Sequence, residues 1–409
     1  MKIFNQYKGL RKEIYVIFIC KVIDKMGGMV GPMMTLILSS KMNFSASQIA
    51  LFTLMTMIAS LPVSLIGGKL TDKYSKKLLI NICDITTSIL YIVSGVIGIS
   101  SLTIVLYVIG SLLQMIEDPA YDSLLQDLTH TKDREKAYSL DYLGVNLGLV
   151  LAPTIAGFLV NEHLSFMFIL NGVTQLLSII IFDFYIKGDT VVIDNSNKYE
   201  TQVDDVNTLK IIKDNKELFA FFIIFSFTCL FYQMWGYLIP LCLSNINSEM
   251  GSIYYGIMCS VNSIVVVVFT TPISAFISRF TSLTRTMLGV LLELIGFIVF
   301  LLFINHPIAY YISITLFTFG EIVDSTTTNP HISKRTPRNY RGRINSISSV
   351  MNNCIYGVGM LIIGNIYDSF GSIITWVIVY ILGAACIVAY SILKRFDRLR
   401  YPSLYKKED

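Results

Sequence analysis

An all-α membrane protein with twelve transmembrane helices in two six-helix repeats is the fold class this sequence predicts. Three observations predict it. Hydrophobic residues make up 54% of the 409-residue chain and charged residues only 15%, where soluble chains carry about a quarter charged; the mean hydropathy is +0.63. The apolar residues come in runs of about twenty, the length of a helix that crosses a hydrocarbon core. Lysine and arginine keep to alternate connections. With the N-terminus inside, 29 of the 32 lie in segments assigned to the cytoplasm, Lys41 lies in an external loop, and Lys21 and Lys25 lie in the first helix. Basic residues gather on the cytoplasmic side of a bilayer, so both termini are expected in the cytoplasm. One helix fewer would reverse every later loop and destroy that asymmetry. No alternating pattern of the barrel type is present.

The helices are placed at roughly 13–39, 46–68, 77–99, 102–128, 135–160, 164–187, 216–243, 251–278, 284–304, 307–333, 343–367 and 371–394, from apolar runs and their polar breaks. Helix one carries Lys21, Asp24 and Lys25 at spacings of three and four, hence on one face. Asp24 falls about 16 Å along a helix that starts near Glu13. The lysines either line a cavity with it or reach to the cytoplasmic edge along their stems. Met29 follows on the same helix as a flexible apolar lining candidate. The apolar run is too long for a cleavable leader, and its charges interrupt it.

Helices two and three meet at Gly67-Gly68-Lys69-Leu70-Thr71-Asp72-Lys73-Tyr74-Ser75-Lys76-Lys77. The two glycines allow a tight turn, and Asp72 is expected where the next helix begins, facing its positive end. Helix three carries Asp84 near its cytoplasmic end, as a support for this hairpin. Helix four carries Gln114, Glu117 and Asp118, with Asp122 a turn later. Helix five contains Gly148, Pro153 and Gly157: small residues let helices approach closely, and proline kinks a helix and frees a carbonyl. Residues 187–215 are polar throughout, and divide the chain into an N-terminal six-helix bundle at 1–186 and a C-terminal one at 216–409 with a short cytoplasmic tail. A backbone of this kind is not tolerated in lipid, so the connection is a cytoplasmic linker, with a short surface helix near Val206–Lys213. Helix seven contributes Gln233, Trp235 and Tyr237 as lining candidates. Helix nine contains Glu293, expected at the periphery, and helix ten carries Glu321 and Asp324 on one face.

The halves repeat. Pro62, Ser64, Thr71 and Leu78 recur as Pro272, Ser274, Thr281 and Leu288, while Arg134, Ser139, Asn146 and Gly157 recur as Arg341, Ser346, Asn353 and Gly364. Parallel repeats place a ligand near the midplane of the membrane and expose it to alternate sides by rocking.

Several chemistries are excluded. The seven cysteines lie almost wholly in apolar segments and form no CxxC pair, so neither a metal nor a cofactor is expected. The four histidines stand near helix ends or in loops, without a convergent catalytic set. No phosphate-cradling loop is present, and the basic residues flank membrane segments rather than form a nucleic-acid face. An ion gradient is then the energy source, and buried ionisable groups, costly in lipid, are where to look. A carboxyl in a low-dielectric site holds its proton to higher pH and can exchange it near neutrality. Glu117 and Asp24 lead these proton-coupling candidates, with Asp118, Glu321 and Asp324 after them; Lys21, Lys25, Met29, Gln114, Gln233, Trp235 and Tyr237 are the candidates for contact with a small molecule.

The stretch from Gly68 to Lys77 resembles the Gly-x-Leu-x-Asp-Arg-x-Gly-Arg-Lys motif between helices two and three of the major facilitator superfamily. Gly68, Leu70, Asp72, Lys76 and Lys77 match, Lys73 is a conservative change, and Ser75 departs. Gly148, Pro153 and Gly157 resemble the helix-five motif of the superfamily's drug–proton antiporters, with Ala152 and Ala156 where that motif has glycine. The antiporters' helix-four arginine is missing: Ser111 stands in its place. The resemblance implies an alternating-access transporter in the cell membrane, functional as a monomer and driven by protons. It favours export of small amphipathic compounds over uptake, and makes Gly68, Asp72, Lys73, Lys76 and Lys77 a conformational latch against the second half. The competing expectation is a dedicated transporter of a polar metabolite such as a sugar, peptide or organic anion, with Lys21 and Lys25 as ligands.

Overall fold

The structure is a computed structural model, and it describes residues 7–129, 133–187, 215–246, 250–333, 335 and 341–405. Helices account for nearly all of these residues, and none is in a strand. In chain order they are α1 Lys12–Gly27, α2 Val30–Leu36, α3 Ala46–Lys73, α4 Lys76–Ile97, α5 Ser101–Asp127 and α6 Arg134–Glu162. There follow α7 Leu164–Tyr185, α8 Lys216–Ile246, α9 Gly251–Ile277, α10 Ser282–Leu302, α11 Pro307–Ser333 and α12 Arg341–Arg400. Among the described residues nine helices are long and apolar enough to cross a membrane. The chain is a multi-pass membrane protein. Most of the linker, with the expected surface helix at Val206–Lys213, lies outside the described residues.

Three local expectations are corrected. The first predicted helix is broken: α1 ends at Gly27, α2 begins at Val30, and a π turn runs on from Ile37 to Lys41. Gly27 sits where α1 meets α7, and a methyl group there would fall 1.6 Å from Thr174 Oγ1. The hairpin turn is not at Gly67-Gly68, because α3 runs on to Lys73 and the Tyr74 N–H still donates to the Leu70 carbonyl at 2.8 Å. Gly67 is there for packing instead: a Cβ would lie 2.8 Å from Ile116 Cα and 2.9 Å from Ile116 O on α5. Asp72 is therefore in the last turn of α3 rather than at the start of α4; Ser75 is the cap, its hydroxyl accepting from the Leu78 N–H at 3.5 Å. Finally, α12 spans two predicted helices. Gly371, at φ 79°, interrupts its helical backbone in a conformation that side chains disfavour.

The described residues group into two compact units. The first comprises residues 1–44, 55–198 and 243–264. Its closest packing joins α4 with α5 and α7, and α1 with α6 and α7. Its core includes Ile14, Ile17, Cys20, Ile80, Leu124 and Phe182, each almost fully buried. The second unit comprises residues 45–54, 199–242 and 265–409. Its tightest helix pair is α10 with α11, where glycines let the backbones meet: a Cβ on Gly320 would stand 2.5 Å from the Gly289 carbonyl.

Candidate functional site

In the first unit α1 delivers its charges inward. Lys25 Nζ pairs with Asp24 Oδ2 at 2.9 Å, and Lys21 Nζ stands 4.0 Å over the ring centre of Tyr121, a cation–π contact. Both lysines line a cavity of about 320 Å³ together with Asp118, Asp122 and Asp141. Gly148 explains how α1 comes so close to α6: a Cβ there would lie 2.5 Å from Lys25 Cβ. Glu117 is buried on the neighbouring turn of α5, and its Oε2 has no hydrogen-bond partner among the described residues. Of the predicted residues, Lys21, Lys25 and Asp118 meet at this cavity, with Asp24 and Glu117 beside it. Gln114, partly buried on α5, and Met29, buried beyond the end of α1, do not line it.

The helix-five motif lies at close helix contacts. Gly157 faces Ser252, whose carbonyl would be 2.5 Å from a Cβ, and the Pro153 carbonyl would be 2.2 Å from a Cβ on Gly256. The Thr154 and Ser260 hydroxyls close the same α6–α9 seam at 2.7 Å.

Two basic residues at the start of α4 have partners in the first unit. Lys76 pairs with Asp127 at the end of α5. Lys77 pairs with Asp183 on α7 at 2.9 Å, and the Asn81 amide donates to the same carboxylate at 2.6 Å. Lys73 stands 5.3 Å from the Tyr74 ring centre. Gly68 and Asp72 are helical, and their side-chain surroundings lie outside what the structure describes.

The second unit contains a larger cavity, about 540 Å³, lined by Phe225, Tyr232, Glu293, Glu321, Asp324 and Asn352 among others. Its described lining includes three carboxylic acids and no basic side chain. The Tyr232 hydroxyl donates to Glu321 Oε1 at 3.0 Å. Glu293 is fully buried, and neither of its oxygens, nor Asp324 Oδ1, has a hydrogen-bond partner among the described residues. Glu293 thus faces the cavity rather than the periphery. The glycines at the α10–α11 crossing bring it there: a Cβ on Gly320 would meet Glu293 Cγ at 2.6 Å, and one on Gly289 would meet Asp324 Oδ1 at 2.7 Å. Sequence spacing does not reveal this, because the face that α10 buries is chosen by its partner.

The helix-seven candidates, now on α8, line neither cavity. Trp235 packs 5.8 Å from Phe317 and Gln233 is exposed. Tyr237 is buried, with its hydroxyl donating to the Ala46 carbonyl at 2.5 Å. Among the described residues no group of His, Cys, Asp and Glu is arranged to hold a metal ion.

Comparison with known proteins adds the family. The chain is 24% identical over 324 residues to YqjV, an MFS-type transporter of Bacillus subtilis (strain 168), with 78% of each chain covered. It is 25% identical over 172 residues to the quinolone resistance protein NorA of Staphylococcus aureus (strain Mu50), which covers 42% of this chain and 44% of NorA. Its fold is similar to crystal structures of the nucleoside transporter NupG and of a peptide transporter POT. NupG superimposes with TM-score 0.73 at 14% identity, over 94% of this chain and 99% of that one. The POT structure, with sulfate bound, gives TM-score 0.73 at 15% identity, over 98% and 96%. The model of the Major Facilitator Superfamily matches residues 17–353 and 239–407, and the chain belongs to that superfamily of membrane transporters.

Proposed function

We propose that this protein is a secondary active transporter that exports small amphipathic molecules across the cell membrane by proton antiport. The observation that carries the reading is the acidic, partly aromatic cavity of the second unit. Phe225 and Tyr232 offer flat apolar surface, while Glu293, Glu321 and Asp324 bring three carboxylic acids to the same lining. Such a cavity suits a lipophilic ligand with a positive charge, or protons in its place, and that exchange is the elementary act of an antiporter. The similarity to NorA, a resistance protein by name, supports export. Glu117 is the leading proton carrier in the first unit because it is buried beside both lysines, with Asp24 the second; Glu321 and Asp324 serve the cavity. Twelve crossings follow if α1 and α2 count as one and the two arms of α12 as two. The halves then rock about the ligand as a monomer, both termini in the cytoplasm. Asp72 and its basic neighbours govern that movement rather than touch the ligand.

A second reading is favoured by the smaller cavity. Its lysines and aspartates suit a polar metabolite such as a sugar, peptide or organic anion, with Lys21 and Lys25 as ligands.

The test is ethidium efflux from loaded bacterial cells that lack their own exporters, carrying wild type, Glu117→Gln, Asp324→Asn or an empty vector, with and without a protonophore. Efflux by the wild type is expected to collapse with protonophore and to fall by about a hundredfold or more in either variant, the usual scale for a lost proton-transfer group. Wild-type protein in the membrane with no efflux above the vector would overturn the export reading and favour the polar metabolite.

A further inference from the structure

Asp84 is a buried acid beside Glu117 with no part in the reading above. It sits on α4 and is 5% exposed. Each of its oxygens receives a donor. Gln175 Nε2 on α7 donates to Oδ1 at 2.7 Å, and the Tyr121 hydroxyl on α5 donates to Oδ2 at 3.2 Å. Glu117 is also within hydrogen-bonding reach of it. An ionised carboxylate only accepts hydrogen bonds, and two ionised carboxylates side by side repel strongly. A hydrogen bond between these two acids therefore needs a proton. Asp84, with donors on both oxygens, is held as the acceptor. Glu117, whose Oε2 is buried without a partner among the described residues, is the acid that keeps the proton.

We propose that Asp84 is a positioning residue for proton exchange, holding Glu117 through a carboxyl–carboxylate hydrogen bond in which Glu117 carries the single shared proton. The inference rests on Glu117 being the proton carrier of the transport cycle. Loading adds one proton from water to Glu117 and takes the pair from two negative charges to one; release returns that proton to water on the other side. Lys21 links the pair to the smaller cavity, because the ring it stacks on belongs to Tyr121, whose hydroxyl holds Asp84. The other titratable groups around the pair are Cys20, Asp24 and Lys25 on α1, Cys83 and Tyr91 on α4 and Tyr121 on α5. From α6, Asp141 faces the same lysines across the cavity. None of these occupies either Asp84 oxygen except Tyr121.

The experiment is an infrared titration of purified full-length protein in lipid nanodiscs, following the carbonyl stretch of protonated carboxyl groups, alongside ethidium efflux from cells. Wild type, Asp84→Asn, Asp84→Glu, Tyr121→Phe and Glu117→Gln are compared. The wild type is expected to show a titrating component that is absent from Glu117→Gln, apart from those of the acids in the second unit, which the variants leave in place. Asp84→Asn removes the negative acceptor, so the midpoint moves to lower pH by about one unit or more. Tyr121→Phe removes a donor that stabilises the ionised pair, so the midpoint moves the other way. Asp84→Glu restores a carboxylate and stays near wild type. Damage to the fold would not produce shifts of opposite sign, and Tyr121→Phe keeps a readout if Asp84→Asn fails to fold.

An unchanged midpoint in folded Asp84→Asn, or in Tyr121→Phe, overturns the proposal, as does a spectrum that Glu117→Gln leaves intact. If the pair titrates as expected while Glu117→Gln still exports ethidium in a protonophore-sensitive way, the pair stands. It is then the role of Glu117 in transport that fails.

Discussion

At the residue scale, glycines decide where charge can be brought. Lys25 reaches the first unit's cavity because Gly148 lets α1 lie against α6, and Glu293 reaches the second because Gly320 leaves room for its Cγ. Gly320→Ala would set a methyl 2.5 Å from the Gly289 carbonyl and 2.6 Å from Glu293 Cγ. Neither neighbour can retreat freely, since one is backbone and the other is a fully buried side chain. We expect a loss of about 1–3 kcal/mol, read as a lower thermal-unfolding midpoint of the purified protein, together with reduced efflux because the acid is displaced. An unchanged midpoint would mean that α10 and α11 separate at no cost. The acids themselves were only half legible beforehand. Glu117, Glu321 and Asp324 announce themselves as charges in apolar segments, but Glu293 reads as peripheral and Asp84 as a support for the hairpin. Which face of a helix is buried depends on neighbours far away in sequence.

At the scale of elements, the helix ends show what flanking residues can and cannot predict. The Asp72 and glycine reading placed the end of α3 about a turn too early. Glycine in a helix is tolerated where a second backbone must come close, and Gly67 meets Ile116 in that way. The opposite end of α3 carries a local capping box, with the Gln48 N–H donating to Ser45 Oγ at 3.3 Å and the Ser45 N–H to Gln48 Oε1 at 2.9 Å, and a second cap that no local pattern could name. The Ala46 and Ser47 N–H groups donate to Asp368 Oδ1 and Oδ2 at 3.0 and 2.8 Å, so a carboxylate from α12 adds to the cap. Such a side chain satisfies donors the helix cannot and meets its positive end. Asp368→Ala should cost about 1 kcal/mol, the usual worth of a cap, and Asp368→Asn less. Faster amide hydrogen exchange confined to the first turn of α3 is the expected signature in Asp368→Ala. Exchange there at the wild-type rate would remove the cap from this account.

At the scale of the whole molecule, the second unit is tied together where distant segments of the chain meet. Arg335 and Asp397, both buried, form a two-pronged ion pair, with Nε to Oδ1 at 2.8 Å and Nη2 to Oδ2 at 2.5 Å. The Tyr405 hydroxyl donates to the same carboxylate at 2.5 Å, while Asn215 reaches the Arg335 carbonyl at 3.3 Å and the Tyr401 hydroxyl at 2.9 Å. The residue that precedes α8 and the segment that follows α12 are thereby joined. Asp397→Ala leaves a buried guanidinium without its partner, a change that typically costs about 3–5 kcal/mol. That is a large part of the stability of most folded domains, so the variant is expected to reach the membrane in much smaller amount. Asp397→Asn keeps an acceptor and should lose less. Equal amounts of Asp397→Ala and wild-type protein in the membrane would show the pair to be dispensable.

By itself the sequence determined that this is a multi-pass helical membrane protein of the Major Facilitator Superfamily. Apolar runs and basic connections follow from how each segment meets lipid and water, and those are local properties. The tertiary structure decided which ionisable groups face one another. It gave Asp84 its donors from Tyr121 and Gln175, gathered Glu293 with Glu321 and Asp324, and tied Lys76 and Lys77 to Asp127 and Asp183. Such encounters need helices from distant stretches of chain to settle at a particular depth and rotation. Those are set by close packing between helices and by where glycines allow it, information that no single segment contains.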